Sequence, residues 1–295
     1  MKKTVFEGAG VAIVTPMNDD FSVNYEKFAE LLEYQIANST DAIIVCGTTG
    51  EASTLEDDEH TKVIEFAVKQ VNGRVPVIAG TGSNETAYAL KLSQDAEKAG
   101  ADALLIVTPY YNKTSQRGLI AHYNYIADRV NIPIILYNVP GRTGVNIQPA
   151  TYLELSKHPN IVATKEANGD VGALVETIAL CGDNLSVYSG NDNQITSFMS
   201  LGAKGVISVL SNIMPQEVHD ITAAALNGDF KESARLQIEY LEIANKMFVD
   251  VNPIPVKQAM NMMGLNVGPC RLPLVDMSEA NAKIVEDVLK KYKLM

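Results

Sequence analysis

Cysteine is scarce in this chain: Cys46, Cys181 and Cys270 are the only three in 295 residues. An odd, widely spaced set makes a poor disulfide framework and suits a reducing compartment, so the sequence predicts a cytoplasmic protein. No Cys-x-x-Cys or His-x-x-x-His pair occurs, and no metal site is expected. Positive charge is also in deficit. The chain has 24 Lys and Arg against 35 Asp and Glu, a formal net charge of −11. Nucleic acids and anionic membranes call for basic patches, so neither is an expected partner. Long apolar runs are missing as well. Met1-Lys2-Lys3-Thr4 is basic, but Glu7 and Gly8 follow and no signal peptide is expected. Runs such as Ile43–Cys46 and Ile132–Leu136 fall far short of the ~20 apolar residues that span a bilayer.

What is present is a chain with 46% hydrophobic residues, enough for a large core. Eight short apolar runs recur along it: Gly10–Thr15, Ala42–Cys46, Pro76–Gly80, Ala103–Thr108, Pro133–Tyr137, Ile161–Lys165, Leu185–Ser189 and Gly205–Leu210. Each reads as a strand buried on both faces, as parallel strands are. Between them the period is helical. Phe28, Leu31, Leu32 and Ile36 share one face; Val63, Ile64, Ala67, Val68 and Val71 share another, after a Thr54-x-x-Asp57 capping box; Leu119, Ile120, Tyr123, Ile126 and Ala127 share a third. Strand–helix alternation implies a parallel sheet. Eight strands, with no Gly-x-Gly-x-x-Gly after the first, favour a closed (β/α)₈ TIM barrel over an open sheet. The strand signal ends near residue 214. Helices are expected over Pro215–Leu226, Phe230–Val249, Pro255–Met263 and Ser278–Leu294. The reading is a catalytic barrel over 1–226 and a helical C-terminal extension over 227–295.

Active sites of such barrels lie at the carboxyl ends of the strands, so those ends carry the candidates. Lys165 closes the apolar run Ile161–Thr164. Burial there disfavours the ammonium, and a neutral amine attacks a ketone to form an imine. The alternative is a lysine that reaches the rim or pairs with Glu166 or Asp170. Tyr137 and Tyr111, at the ends of strands 5 and 4, could carry the protons that imine formation moves, or simply pack. Thr48 and Thr49, flanked by Gly47 and Gly50, offer hydroxyls and backbone N–H groups suited to a carboxylate; a plain turn would look similar. Arg142, on the turn after Pro140-Gly141, has the planar fork for a second carboxylate, or for a surface ion pair. His60, His122, His158 and His219 fall in helices or at helix ends and read as structural. No glycine-rich phosphate loop follows strands 7 and 8, so a sugar phosphate is not the expected substrate.

In combination, Gly47-Thr48-Thr49-Gly50-Glu51, Thr108-Pro109-Tyr110-Tyr111-Asn112, Tyr137-Asn138-Val139-Pro140-Gly141-Arg142-Thr143 and Lys165-Glu166-Ala167 resemble the pyruvate-dependent class I aldolase and lyase family. That family includes N-acetylneuraminate lyase and dihydrodipicolinate synthase, and Pro140-Gly141-Arg142 is similar to the second branch. The resemblance implies Lys165 as the Schiff-base lysine. It makes Tyr137, Thr48 and Tyr111 a proton relay, with Tyr111 reaching a neighbouring subunit's site. It gives Thr49 the pyruvate carboxylate, Arg142 the carboxylate of L-aspartate-4-semialdehyde, and Gly190 and Ile207 the pocket wall. It implies the condensation of these two substrates on the route to diaminopimelate and lysine, with no cofactor beyond the covalent lysine–pyruvate imine, in a homotetramer built from tight dimers.

Two departures stand out. Thr164 replaces the usual Ile or Val, with a minor effect expected. At the lysine-effector site that the resemblance implies, His60, Asn84 and Tyr110 match, but Asp57 and Tyr88 stand where a histidine and a glutamate are common. Weak or absent inhibition by lysine is therefore expected, unless Asp57 supplies the missing anion. Rival readings are an N-acetylneuraminate lyase or 2-keto-3-deoxy-sugar-acid aldolase of the same family, against which Arg142 speaks, and a non-catalytic ligand-sensing barrel, against which the joint presence of Lys165, Tyr137, Thr48 and Tyr111 speaks.

Overall fold

The computed structural model describes residues 2–295. Eight strands form in order: β1 (Gly8–Ala12), β2 (Ala42–Val45), β3 (Val77–Gly80), β4 (Ala103–Val107), β5 (Ile134–Asn138), β6 (Ile161–Glu166), β7 (Ser186–Ser189) and β8 (Gly205–Ser208). All pair in parallel, each with its sequence neighbours, and β8 returns to β1 to close the barrel. The expected TIM barrel is present, with strand limits shifted by a few residues. Every strand position but two is buried, because helices cover the outside and side chains fill the inside.

The intervening helices are α1 (Tyr25–Ala37), α2 (Asp57–Val71), α3 (Thr86–Lys98), α4 (Gln116–Ala127), the short α5 (Pro140–Thr143) and α6 (Pro149–Leu155), α7 (Val171–Cys181), α8 (Ile195–Met199) and α9 (Pro215–Leu226). The apolar stripes read from the sequence are their inner faces: Phe28, Leu31 and Leu32 in α1, and Val63, Ile64, Ala67 and Val71 in α2, are buried. The start of α2 differs from expectation. Its N-cap is Glu56, whose N–H is accepted by Glu59 (3.2 Å). Thr54 belongs instead to the preceding turn, where its hydroxyl donates to the Glu51 carbonyl (3.0 Å).

Beyond α9 follow α10 (Phe230–Glu239), α11 (Leu241–Lys246), α12 (Ile254–Met262) and α13 (Glu279–Lys291). The single helix expected over Phe230–Val249 is two. They part at Tyr240, next to the Glu239 carbonyl that accepts the Tyr292 hydroxyl (2.6 Å); a side chain inserted in this way interrupts the helical ladder.

The interior has two parts. Inside the barrel, Phe6 stacks on Tyr188 (centroids 4.3 Å, 9° between planes) as a floor beneath Ile44, Ile78, Leu105 and Ile207. Between strands and helices lies the larger core. It runs without a break into the C-terminal helices through Ile243, Met247, Val256, Met260, Val285 and Leu289. Burying each such side chain contributes roughly 1.5–3 kcal/mol, so the extension is held to the barrel by its own apolar faces.

Candidate active site

Lys165 lies one residue from the end of β6, in register with Tyr137 on β5 and Tyr188 on β7. It is 5% exposed. Its Nζ sits 4.4 Å from the centroid of the Tyr137 ring. Among the described residues no carboxylate comes within ion-pair distance of it. The partner that the sequence offered, Glu166, faces the other way, as alternation along a strand demands. The Glu166 carboxylate accepts from Asn138 Nδ2 (3.0 Å), the Tyr152 hydroxyl (2.7 Å) and the Asn168 N–H (2.8 Å). Burial raises its pKa above the usual carboxylate range, and these donors oppose the shift. The Thr164 hydroxyl donates toward Tyr152 (3.2 Å) in the same network, so this departure from the family pattern has a polar partner.

A cavity of about 420 Å³ opens beside this centre, lined by Thr48, Tyr137, Arg142 and Tyr110 and reaching His60 and Tyr88. Lys165 does not line it; its amine rests against the Tyr137 ring, which does. Thr48 is exposed in the β2 loop and Thr49 is buried. Neither Thr48 nor Thr49 donates its N–H to a backbone carbonyl. The loop is pinned by Glu51, which adopts a left-handed backbone (φ 54°). Its carboxylate meets Lys257 Nζ (2.7 Å) and the Arg271 N–H (2.8 Å). Arg142, on α5, has no acidic partner among the described residues; it touches the Asn252 carbonyl (3.3 Å). Ile207 is fully buried in β8. Gly190 follows β7 and donates to the Glu166 carbonyl (2.8 Å); a Cβ there would stand 2.7 Å from that of Ala167.

Tyr111 is not brought to this centre within one chain. It is 91% exposed, with a left-handed backbone (φ 68°), and lies outside the cavity lining. Two residues that sequence reasoning missed do belong here. Asn252, before α12, donates Nδ2 to Thr49 Oγ1 (3.0 Å), so it touches both loops that carry the expected carboxylate binders. Its only signal was the Pro253-x-Pro255 break. Asp192, two residues past Gly190, is a buried carboxylate on the β7 loop.

Of the second residue group, His60, Tyr88 and Tyr110 line the same cavity, whereas Asp57 and Asn84 lie outside its lining. His60 is buried, with Nε2 against the Gly80 carbonyl (2.8 Å), and desolvation lowers its pKa. Asn84 accepts at its carbonyl from Asn112 (2.8 Å). Asp57 is taken by Lys91 Nζ and the Tyr88 hydroxyl, both at 2.6 Å. These two partners hold its carboxyl below the usual range, and the bond to Asp57 pushes the Tyr88 phenol up to about 12. The remaining histidines have packing partners: His122 with Thr86 (2.9 Å), His158 with Asp128 (3.2 Å) and His219 with Asp41 (2.9 Å). Among the described residues no group of three or more His, Cys, Asp or Glu is arranged to hold a metal ion. Among the described residues no helix is long and apolar enough to cross a membrane.

Fold and site together define a (β/α)₈-barrel lyase, with its candidate reacting groups gathered at the carboxyl ends of the strands. The chain belongs to the dihydrodipicolinate synthetase family, whose model matches residues 5–292. It is 55% identical over 292 residues to a 4-hydroxy-tetrahydrodipicolinate synthase of Thermoanaerobacter sp., covering 99% of this chain and 98% of that protein. A protein of the same name from Acetivibrio thermocellus is 52% identical over 295 residues, the whole of both chains. Among solved structures, the chloride-inhibited dihydrodipicolinate synthase of Acinetobacter baumannii complexed with pyruvate superposes with a TM-score of 0.97 at 43% identity, covering 99% of this chain and 100% of that one.

Proposed function

We propose that the chain is a 4-hydroxy-tetrahydrodipicolinate synthase that condenses pyruvate with L-aspartate-4-semialdehyde through an imine on Lys165, on the route to diaminopimelate and lysine. The observation that carries this reading is a buried amine with no acceptor, held against a phenol at the carboxyl end of a barrel strand. The Lys165 nitrogen attacks C2 of pyruvate. Water leaves from the resulting carbinolamine, and the protonated imine withdraws electrons from C3. Loss of a C3 proton gives an enamine, which attacks the aldehyde; the aldehyde oxygen takes up a proton, and the amino group of the semialdehyde then displaces the Lys165 nitrogen from C2, which closes the ring and frees the lysine. Tyr137 and Thr48 move the protons, and Tyr111 of a second copy completes the relay. Thr49, still able to donate its own hydroxyl proton, and the free N–H groups of its loop take the pyruvate carboxylate. Arg142, having no carboxylate of its own, takes that of the semialdehyde. Gly190 and Ile207 form the wall. The imine carbon is the electron sink, so the reaction needs no further cofactor. The exposed, strained Tyr111 supports assembly into tight dimers, and the apolar outer face of α7 (Val171 and Val175 exposed) supports pairing of dimers into a homotetramer. The three free cysteines suit the cytoplasm.

Borohydride treatment in the presence of pyruvate, followed by peptide mass mapping, tests the chemistry: a stable adduct on Lys165 is expected, and its absence rejects the reading. Weak or no inhibition by lysine goes with it. An effector ammonium seeking Asp57 must first displace the chain's own Lys91. Turnover assayed against added lysine checks this, with strong inhibition below ~1 mM as the contrary result.

A further inference from the structure

The loop after β7 carries a carboxylate that the chemistry above leaves unused. Asp192 is 4% exposed. Its Oδ2 accepts the N–H groups of Val209 (3.1 Å) and Leu210 (2.9 Å), just past the end of β8. Its Oδ1 is buried with no hydrogen-bond partner. A fold keeps so incompletely paired a carboxylate at a penalty unless an opposite charge offsets it. Burial raises its pKa above the usual range; the Ser208 side chain, the Leu210 and Val209 N–H groups and, to a smaller extent, the charge of Lys165 act the other way, favouring the carboxylate. Lys165 is the converse case, a buried amine without an acceptor. Two opposite charges, each short of a partner, thus sit on adjoining strand ends at more than ion-pair distance.

The other ionisable groups around Lys165 do not supply that negative charge. Tyr137 on β5 presents its ring. Tyr188 on β7 gives its hydroxyl to the Phe6 carbonyl (2.7 Å) at the barrel floor. Glu166 on β6 is turned to Asn138 and Tyr152. Glu51 on the β2 loop is matched by Lys257, and Arg142 at the mouth is itself a cation.

We infer that Asp192 is a positioning residue for the Lys165 chemistry: its fixed negative charge stabilises the cationic states of that nitrogen, the ammonium at rest and the protonated imine once pyruvate is bound. The inference rests on the reading of Lys165 as the imine-forming lysine. Because the two groups do not touch, the effect is one of field, which a charge-removing substitution isolates.

Asp192→Asn is the test, since the amide oxygen still accepts from Val209 and Leu210 while the charge is gone. Borohydride trapping with pyruvate is followed against pH in the unaltered enzyme and in the variant, alongside steady-state turnover and thermal midpoint. Without the counter-charge the ammonium is less favoured, so the pH of half-maximal trapping moves down by about 0.5–1 unit. The protonated imine also loses support, so kcat falls ~10-fold or more, while the thermal midpoint stays within a few degrees. A trapping profile and kcat matching the unaltered enzyme overturn the inference. So does a loss of turnover that follows loss of fold with no pH displacement, because that marks Asp192 as a cap for the β8 loop alone. No adduct on Lys165 in the unaltered enzyme overturns the parent reading and this one with it. If Asp192→Asn does not fold, Asp192→Glu carries the test: it keeps the charge but moves it by one methylene, and must shift the profile and slow turnover, with an unchanged profile as the refuting result.

Discussion

Lys257 and Lys165 are buried to nearly the same depth, 2% and 5% exposed, yet their surroundings are opposite. Lys257 Nζ donates to Glu51 Oε1 (2.7 Å), the Thr15 carbonyl (3.1 Å) and the Pro269 carbonyl (2.6 Å). Its three protons and its charge are all matched, and it ties α12 to the loop that carries Thr48 and Thr49. Among the described residues Lys165 Nζ has no oxygen acceptor, and a phenol ring lies 4.4 Å away. Burial is therefore not what marks a lysine for chemistry. A saturated ammonium is a staple, since giving up a proton would break three bonds. An unsaturated one keeps its nitrogen open to a ligand.

Exchanging each lysine for methionine is the sharpest way to break this comparison. Lys165→Met should cut turnover on the order of 10⁴-fold or more while leaving the urea midpoint nearly unchanged, because no direct hydrogen bond or ion pair is broken. Steady-state assay and equilibrium unfolding decide it; an unfolded variant would mean that Lys165 is structural after all. Tyr137→Phe keeps the ring beside the amine and removes only the hydroxyl. Turnover should fall ~10²-fold with the urea midpoint nearly unmoved, and undiminished kcat would take Tyr137 out of the proton path.

Lys257→Met should do the reverse of Lys165→Met. It strands the Glu51 carboxylate in the core and should lower stability by about 3–5 kcal/mol, while the protein that remains folded still traps pyruvate on Lys165. Adding Glu51→Gln should return part of the loss. A Lys257→Met protein as stable as the parent would contradict the staple.

A third buried group, His122, falls between the two lysines. Its Nδ1 meets Thr86, its Nε2 is buried without a partner, and desolvation lowers its pKa to about 4. With the folded-state value below the unfolded one near ~6.5, the unfolded chain binds more protons between them. Stability from the neutral ring is then present at neutral pH and is lost as pH falls through the unfolded value toward the folded one. Between pH 7 and 5 the loss should be on the order of 2 kcal/mol. Urea unfolding at both pH values should show it, and His122→Gln should flatten it; an equal slope in the variant would assign the pH dependence elsewhere.

Most of the architecture was legible in the chain. The eight apolar runs, their spacing and the helical stripes between them are local patterns, and the barrel is the closed form that eight such units permit. The strand ends could be read in the same way, which is how Lys165, Tyr137, Thr48 and Arg142 were reached. Two local details misled: Thr54 fits a capping box that Glu56 and Glu59 make instead, and the Phe230–Val249 stripe is broken where Tyr292, from a distant helix, meets the Glu239 carbonyl.

What the chain alone determined was which chemical groups stand at the barrel mouth, because strand period and strand ends depend on neighbours in sequence. Their partners were decided only by the tertiary structure. Glu166 turned from Lys165 to Tyr152, Lys91 claimed Asp57, Asn252 reached Thr49 across 203 residues and Lys257 reached Glu51 across 206. Hydrogen bonds and ion pairs join groups that folding brings together, and no periodicity in the sequence records such distances. The Lys165 amine stands out by the partners it lacks, and that became visible only once Lys257, Glu51 and Glu166 had been given theirs.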